Sequence, residues 1–221
     1  MNPLNLAADE VHTWSVPLDV PHDGIADLVA TLTPEERIRS ARFQFDRDRW
    51  RYVVAHGVLH DLLGRYLGIH PGLLGFVVNE FGRPELGREF GGRLKFNLSH
   101  SADLALIAVA VNSDVGVDVE RIRADAELGD IAQIFFSPSE VRQLNEAPGH
   151  LRSESFFKCW TQKEAYVKAR GEGFEIPLTS FSVSDLHDEW SLRTLQPAPG
   201  YVGAVAIGRK GWRLKQWYWR S

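Results

Sequence analysis

In Asp114-Val115-Gly116-Val117-Asp118-Val119-Glu120 the valines alternate with Gly116, Asp118 and Glu120. Successive side chains of a β-strand point to opposite faces, so Val115, Val117 and Val119 share one face. Asp118 and Glu120 share the other, roughly 6.5–7 Å apart along the strand. Two like charges on one face repel unless water screens them or a cation sits between them. A wet polar face accounts for the pair, as in many antiparallel sheets. So does a hard divalent cation, since Mg²⁺ takes one or two carboxylates together with phosphate oxygens and waters. Gly116 leaves room for something to approach the backbone.

A second charged pair lies on a segment that reads as helix. At 3.6 residues per turn Phe157, Trp160, Glu164, Val167, Lys168 and Gly171 fall on one stripe. Glu164 is therefore partly desolvated, and a desolvated carboxylate needs a partner or shifts its pKa. Lys168 follows one turn later in the favourable Glu-to-Lys orientation. A surface ion pair explains the two residues but not their place on the apolar stripe. Lys163 points to the flank, where it reaches a phosphate or nothing. Brought together, Asp118, Glu120, Glu164 and Lys168 would form a Mg²⁺- and phosphate-handling site for phosphoryl-group transfer.

Other polar groups are ambiguous. Ser99-His100-Ser101 reads as a turn between two strands, offering donors to a phosphate or plain turn chemistry. His56 and His60 have i,i+4 spacing but lack the Glu of a His-Glu-x-x-His motif, so they are expected as solvated helix residues. Arg37, Arg39, Arg42, Arg47, Arg49 and Arg51 cluster in one stretch. They suit an anionic partner, or a solvated helix laced with Glu35, Glu36, Asp46 and Asp48. No Gly-x-x-x-x-Gly-Lys-Ser/Thr loop, Gly-x-Gly-x-x-Gly or Gly-x-Ser-x-Gly occurs.

The elements that must position these groups follow from pattern. Thr33-Pro34-Glu35-Glu36 stacks the signals of a helix start: a cap, a proline at the first position and a capping box. A longer helix is expected from about Arg47 to Leu67, and strands at Val11–Val16, Leu94–Ser99, Leu104–Val111 and Asp114–Glu120. Helices around Ile131–Phe136 and Ser153–Ala169, the latter ended by Gly171 and Gly173, precede strands at Phe181–Val183, Tyr201–Ile207 and Trp212–Trp219. Both halves run helices first and strands after. The expectation is an α+β fold of two similar lobes, residues 1–112 and 113–221, the second carrying the carboxylate motifs.

The chain has 221 residues, 44% of them hydrophobic, with seven Trp and twelve Phe, enough for a substantial core. Its one cysteine, Cys159, excludes an internal disulfide and fits a reducing cytoplasm. A net charge of −4 argues against a general nucleic-acid binder, and no run is long and apolar enough to span a membrane. A cytoplasmic protein is the expectation.

Gly116-Val117-Asp118-Val119-Glu120 and Trp160-Thr161-Gln162-Lys163-Glu164-Ala165-Tyr166-Val167-Lys168 together resemble the two signature motifs of 4′-phosphopantetheinyl transferases. Phe96-Asn97-Leu98-Ser99-His100-Ser101, Gly82-Arg83-Pro84 and Thr33-Pro34-Glu35-Glu36-Arg37 leading to Arg42-Phe43 resemble further motifs of that family. The length is similar to that of the larger, monomeric subclass, which serves peptide and polyketide synthases and is built as a pseudo-twofold pair of α+β lobes. The resemblance implies transfer of phosphopantetheine from coenzyme A to a serine of an apo acyl or peptidyl carrier protein, releasing 3′,5′-ADP. It also implies roles. Asp118, Glu120 and Glu164 would hold Mg²⁺ against the pyrophosphate. Glu164, directly or through a metal-bound water, would take the serine proton, and Lys168 would steady the phosphate and the leaving group. Ser99 and His100 would contact the pyrophosphate and the 3′-phosphate. Arg39 and Arg83 would grip the phosphates and the adenine end, with Lys163 counted among the coenzyme-binding residues. The chain departs from the pattern in three places: Arg83 replaces the commoner lysine, Tyr52 a small hydroxyl residue, and Val119 an acidic one, so that water would fill that coordination position.

Overall fold

A computed structural model describes residues 3–21, 24–124, 127–172, 176–186 and 190–220. The chain opens with strand β1 (Glu10–Pro17) and helices α1 (Ile25–Thr31), α2 (Pro34–Ser40) and α3 (Asp46–Leu67). The capping box forms as its sequence predicts: Thr33 accepts from the Glu36 backbone N–H, and the Glu36 side chain accepts from the Thr33 N–H. Helix α3 ends at Gly68, whose φ of 69° is the left-handed cap that glycine adopts at little cost. A short hairpin, β2 (Phe76–Val78) and β3 (Pro84–Leu86), leads into β4 (Leu94–Ser101), β5 (Leu104–Val111) and β6 (Val115–Arg121). Three helices follow, α4 (Leu128–Phe135), α5 (Pro138–Glu146) and α6 (Arg152–Arg170), then strands β7 (Ser191–Leu195), β8 (Tyr201–Ile207) and β9 (Arg213–Tyr218).

The first large sheet has the order β4-β5-β1-β9 and the second the order β6-β8-β7. Helix α3 covers one face of the first sheet, where Val58, Leu62 and Leu63 meet Trp14, Phe96 and Ile107. The second sheet carries α6 in the same way, through the small residues Ala165, Ala169, Ala204 and Ala206. The valine face of β6 turns the other way, onto Leu104, Leu106 and Ala108 of β5, and joins the two sheets in one apolar layer. The architecture is α+β, with a long helix on each sheet. Its Gly116-Asp118-Glu120 face is left looking at α6.

Three expectations change. Strand β9, placed by its sequence position in the second half, pairs in parallel with β1 in the first sheet. Ser99, His100 and Ser101 are not a turn: the β4–β5 ladder runs to Ser101↔Leu104 and reverses at Ala102-Asp103, with Ala102 at a φ of 51°. No strand forms at Phe181–Val183, where Val183–Asp185 is a single 3₁₀ turn, while β7 was not foreseen. Gly171 caps α6 with a φ of 73°, and Gly173 lies outside the described residues. Among the described residues no helix is long and apolar enough to cross a membrane.

Candidate active site

Strand β4 reaches β6 with side chains. Alternation puts Asn97, Ser99 and Ser101 on one face of β4, opposite Leu94, Phe96 and Leu98. Asn97 Oδ1 accepts from the Val117 N–H at 2.8 Å. Ser99 Oγ donates to Asp118 Oδ1 at 2.7 Å, and Ser101 Oγ donates to Glu120 Oε2 at 2.6 Å while accepting from the Arg121 N–H. This polar ladder sets the height of both carboxylates. Asn97, to which the sequence assigned no role, and Ser101, expected as a turn residue, carry as much of it as Ser99 does. Period-two spacing from Ser99 was the signal that could have found them.

Helix α6 closes the site from the other side. Gly116 is what lets it come so near. A Cβ there would fall well inside van der Waals contact with the Ala165 carbonyl oxygen and the Ala169 backbone nitrogen. The close approach that the glycine signalled is therefore the helix itself. Lys168 Nζ consequently lies 2.6 Å from Asp118 Oδ1 and 3.0 Å from Ser99 Oγ. Glu164, one turn earlier, opens into a cavity of about 640 Å³ shared with Lys168, Arg83, Asn97, Trp160 and Phe135.

The carboxylates sit in a strained electrostatic balance. Burial raises the Glu164 pKa, Lys168 opposes the rise, and the charges of Asp118 and Glu120 add to it. Glu120 is raised as well, first by burial, against the Ser101 hydrogen bond, and further by Asp118. Asp118 is buried, and its Oδ2 has no hydrogen-bond partner among the described residues. The expected three-carboxylate metal centre is not drawn together as a ready-made cluster: among the described residues no three His, Cys, Asp or Glu side chains are grouped to hold an ion. The donor chemistry still fits a hard divalent cation, with an unpaired buried oxygen and two carboxylates held against ionisation beside it.

The cationic residues separate into two groups. His100 is exposed at its edge while protein crowds its other sides, and its pKa is lowered by that burial, then by His56, Lys168 and Arg39. Of these groups Lys168 touches Asp118, His56 is bonded to Glu36, and Arg39 lies over the Tyr52 ring. Arg83 lines the same cavity, but Nη1 and Nη2 donate to the carbonyls of Ala169 and Val115, stapling the end of α6 to β6. Most of the arginine cluster is tied locally. Arg37 holds the carbonyls of Ala30 and Leu32, Arg51 clasps Asp19, and Arg47 and Arg49 pair with Asp48 and Asp46.

Lys163 is a correction. It does not extend from the flank toward a ligand; it is fully buried, donating to Glu140 Oε2 at 2.6 Å and to the Phe181 carbonyl at 2.7 Å. One position along a helix turns a side chain by about 100°, which takes Lys163 off the cavity stripe and onto Glu140 of α5 and the Phe181 carbonyl. His56 and His60 are likewise not solvated. They flank the Glu36 carboxylate at 2.8 and 3.0 Å, and His60 is fully buried.

Two family models match the chain: 4′-phosphopantetheinyl transferase, N-terminal, over residues 20–112, and the 4′-phosphopantetheinyl transferase superfamily over residues 114–201. The chain is 41% identical over 225 residues to the 4′-phosphopantetheinyl transferase HetI of a Nostoc species, across 98% of this chain and 95% of the relative. A 4′-phosphopantetheinyl transferase of Bacillus subtilis is 30% identical over 156 residues, 71% of this chain and 67% of its own. The 4′-phosphopantetheinyl transferase Sfp of Bacillus subtilis strain 168 is 26% identical over 190 residues, 80% and 83% of the two chains. With a near-full-length relative at that identity and both halves matched, the chain belongs to the 4′-phosphopantetheinyl transferase family and is an enzyme of that class.

Proposed function

We propose that the enzyme moves the 4′-phosphopantetheine arm of coenzyme A onto a serine of an apo acyl or peptidyl carrier protein, releases 3′,5′-ADP and depends on Mg²⁺. The observation that carries this reading is the contact of Lys168 on α6 with Asp118 on β6 at 2.6 Å, with Glu120 on the same strand face and Glu164 on the same helix stripe. Carriers of peptide and polyketide assembly, in the cytoplasm, and a monomeric enzyme are part of the same reading.

The reaction makes one bond and breaks one. The serine oxygen attacks the phosphorus bearing the pantetheine arm, and the bond from that phosphorus to the bridging oxygen of 3′,5′-ADP breaks. Glu164 is suited to take the serine proton, because burial makes its carboxylate more basic than a solvated one. Lys168, anchored by Ser99 and Asp118, offers an ammonium to the charge that builds on the leaving oxygen. Asp118 and Glu120, with Glu164, would hold Mg²⁺, which supplies charge neutralisation at the pyrophosphate when bound. The basic region of Arg39, His56 and His100 suits the phosphate on the nucleotide.

Incubation with coenzyme A, MgCl₂ and a panel of apo carriers tests the reading by intact mass. The expected result is addition of the arm to a carrier serine, abolished by EDTA. No adduct across a broad panel overturns it, and nucleotide release at an equal rate without any carrier turns it into hydrolysis.

A further inference from the structure

The two carboxylates of β6 are each engaged through one oxygen. Asp118 Oδ1 accepts from Ser99 Oγ at 2.7 Å and from Lys168 Nζ at 2.6 Å, while its buried Oδ2 has no partner among the described residues. Glu120 Oε2 accepts from Ser101 Oγ at 2.6 Å, and among the described residues no hydrogen bond reaches its Oε1. Ser101 is fixed in turn, since its Oγ accepts from the Arg121 N–H at 3.2 Å. Asn97, two rungs along the same face of β4, ties that strand to the Val117 N–H at 2.8 Å. The hydroxyl that grips Glu120 is thus mounted on a braced pair of strands.

A carboxylate can offer a cation one oxygen or both. An oxygen that already accepts a short hydrogen bond gives less to an ion, so the two-oxygen grip is the one weakened. Divalent cations differ in how much they use that grip. Ca²⁺ takes about six to eight oxygens, often with a bidentate carboxylate, in adaptable sites. Mg²⁺ is smaller and demands a near-ideal octahedron, and it accepts single oxygens from one or two carboxylates with water and phosphate around them. Two single oxygens on a braced strand, with no group of three His, Cys, Asp or Glu side chains among the described residues, match the smaller ion.

We infer that Ser101 is a positioning residue that restricts Glu120 to one free oxygen and so makes the site discriminate against Ca²⁺ in favour of Mg²⁺. The inference rests on the function proposed above, which puts a divalent cation at these carboxylates. Ser101 touches neither the ion nor a substrate; it acts through Glu120, and its hydroxyl is the part that matters.

Calorimetric titration of MgCl₂ and of CaCl₂ into the full chain with coenzyme A present tests this by the ratio of the two Kd values. In Ser101→Ala both Glu120 oxygens are free, and the preference for Mg²⁺ over Ca²⁺ is expected to fall about tenfold, the usual reach of a group that orients a metal ligand. Ser101→Thr keeps a hydroxyl on the same strand face and should hold the parent's ratio, which also guards against a Ser101→Ala chain that fails to fold. In carrier loading with MgCl₂, added CaCl₂ should inhibit Ser101→Ala at about tenfold lower concentration than it inhibits the parent. A merely structural serine would weaken both ions alike and leave the ratio alone. Proportional weakening, an unchanged ratio, or a Ser101→Thr ratio moved as far as that of Ser101→Ala each overturn the inference. If the parent loads a carrier and EDTA stops it while the ratio stays fixed in Ser101→Ala, only this inference fails. A parent that loads no carrier, or loads it equally well in EDTA, overturns the proposed function and this inference with it.

Discussion

Glu164 is under two opposed demands. In the proposed role of proton acceptor it must be ionised, yet its surroundings resist ionisation through burial and through Asp118 and Glu120. The sign of the stability effect follows. A carboxylate whose folded pKa lies above its unfolded value binds its proton more tightly when folded, so its contribution is full at acid pH and is lost as pH rises through the folded value. Glu164→Gln should therefore melt like the parent below the ordinary carboxylate range and above it progressively higher, in thermal scans from pH 4 to pH 8. It should also lose about 10²–10⁴-fold in kcat, the usual value of a general base. A parent that gains stability over the variant as pH rises would contradict the assignment. Asp118 behaves differently because it anchors Lys168 and is held by Ser99. Asp118→Ala should abolish transfer while circular dichroism shows an intact fold; full Mg²⁺-dependent activity would remove Asp118 from the site.

At the scale of elements, the site depends on how closely α6 lies on β6. Gly116→Ala should cost about 1–3 kcal/mol in urea unfolding, as overpacking does, and should lower kcat by displacing Glu164 and Lys168. The flank of α6 is held by the buried Lys163–Glu140 pair, whose carboxylate also takes the N–H groups of Ser137 and Val183. Burial works against the Glu140 charge, but Lys163 and those N–H groups outweigh it and leave its pKa below the ordinary range. Lys163→Met strands a buried carboxylate and should cost about 3–5 kcal/mol. Adding Glu140→Leu should restore much of the loss. KM for coenzyme A should stay unchanged in whatever fraction folds, which separates a structural lysine from a ligand-binding one.

Over the whole molecule, the two sheets share an apolar layer, a polar ladder from Asn97, Ser99 and Ser101, and a last strand that crosses back to β1. Ligands bound across that junction should stabilise both halves together. Mg²⁺ with coenzyme A, each at about 100 times its Kd, should raise stability by about 2.7 kcal/mol or more over the free chain. Calorimetric scans should show one shifted transition in the parent and a much smaller shift in Asp118→Ala. Two transitions that move independently would contradict the joined architecture.

Local pattern was enough for much of this. Alternation in 114–120 put Asp118 and Glu120 on one strand face, helical spacing put Glu164 and Lys168 on one stripe, and Thr33 to Glu36 marked a helix start, because each depends only on neighbours a few residues away. Motif pairing then carried the family. Contacts between distant segments were not legible. The direction of Lys163, the pairing of Glu36 with His56 and His60, the ladder from β4 and the return of β9 all depend on which faces meet. A face's partner is decided by packing across the whole chain: the same lysine at Lys163 or at Lys168 is alike in sequence chemistry, and only the opposing surface makes one a buried strut and the other a group at the carboxylates.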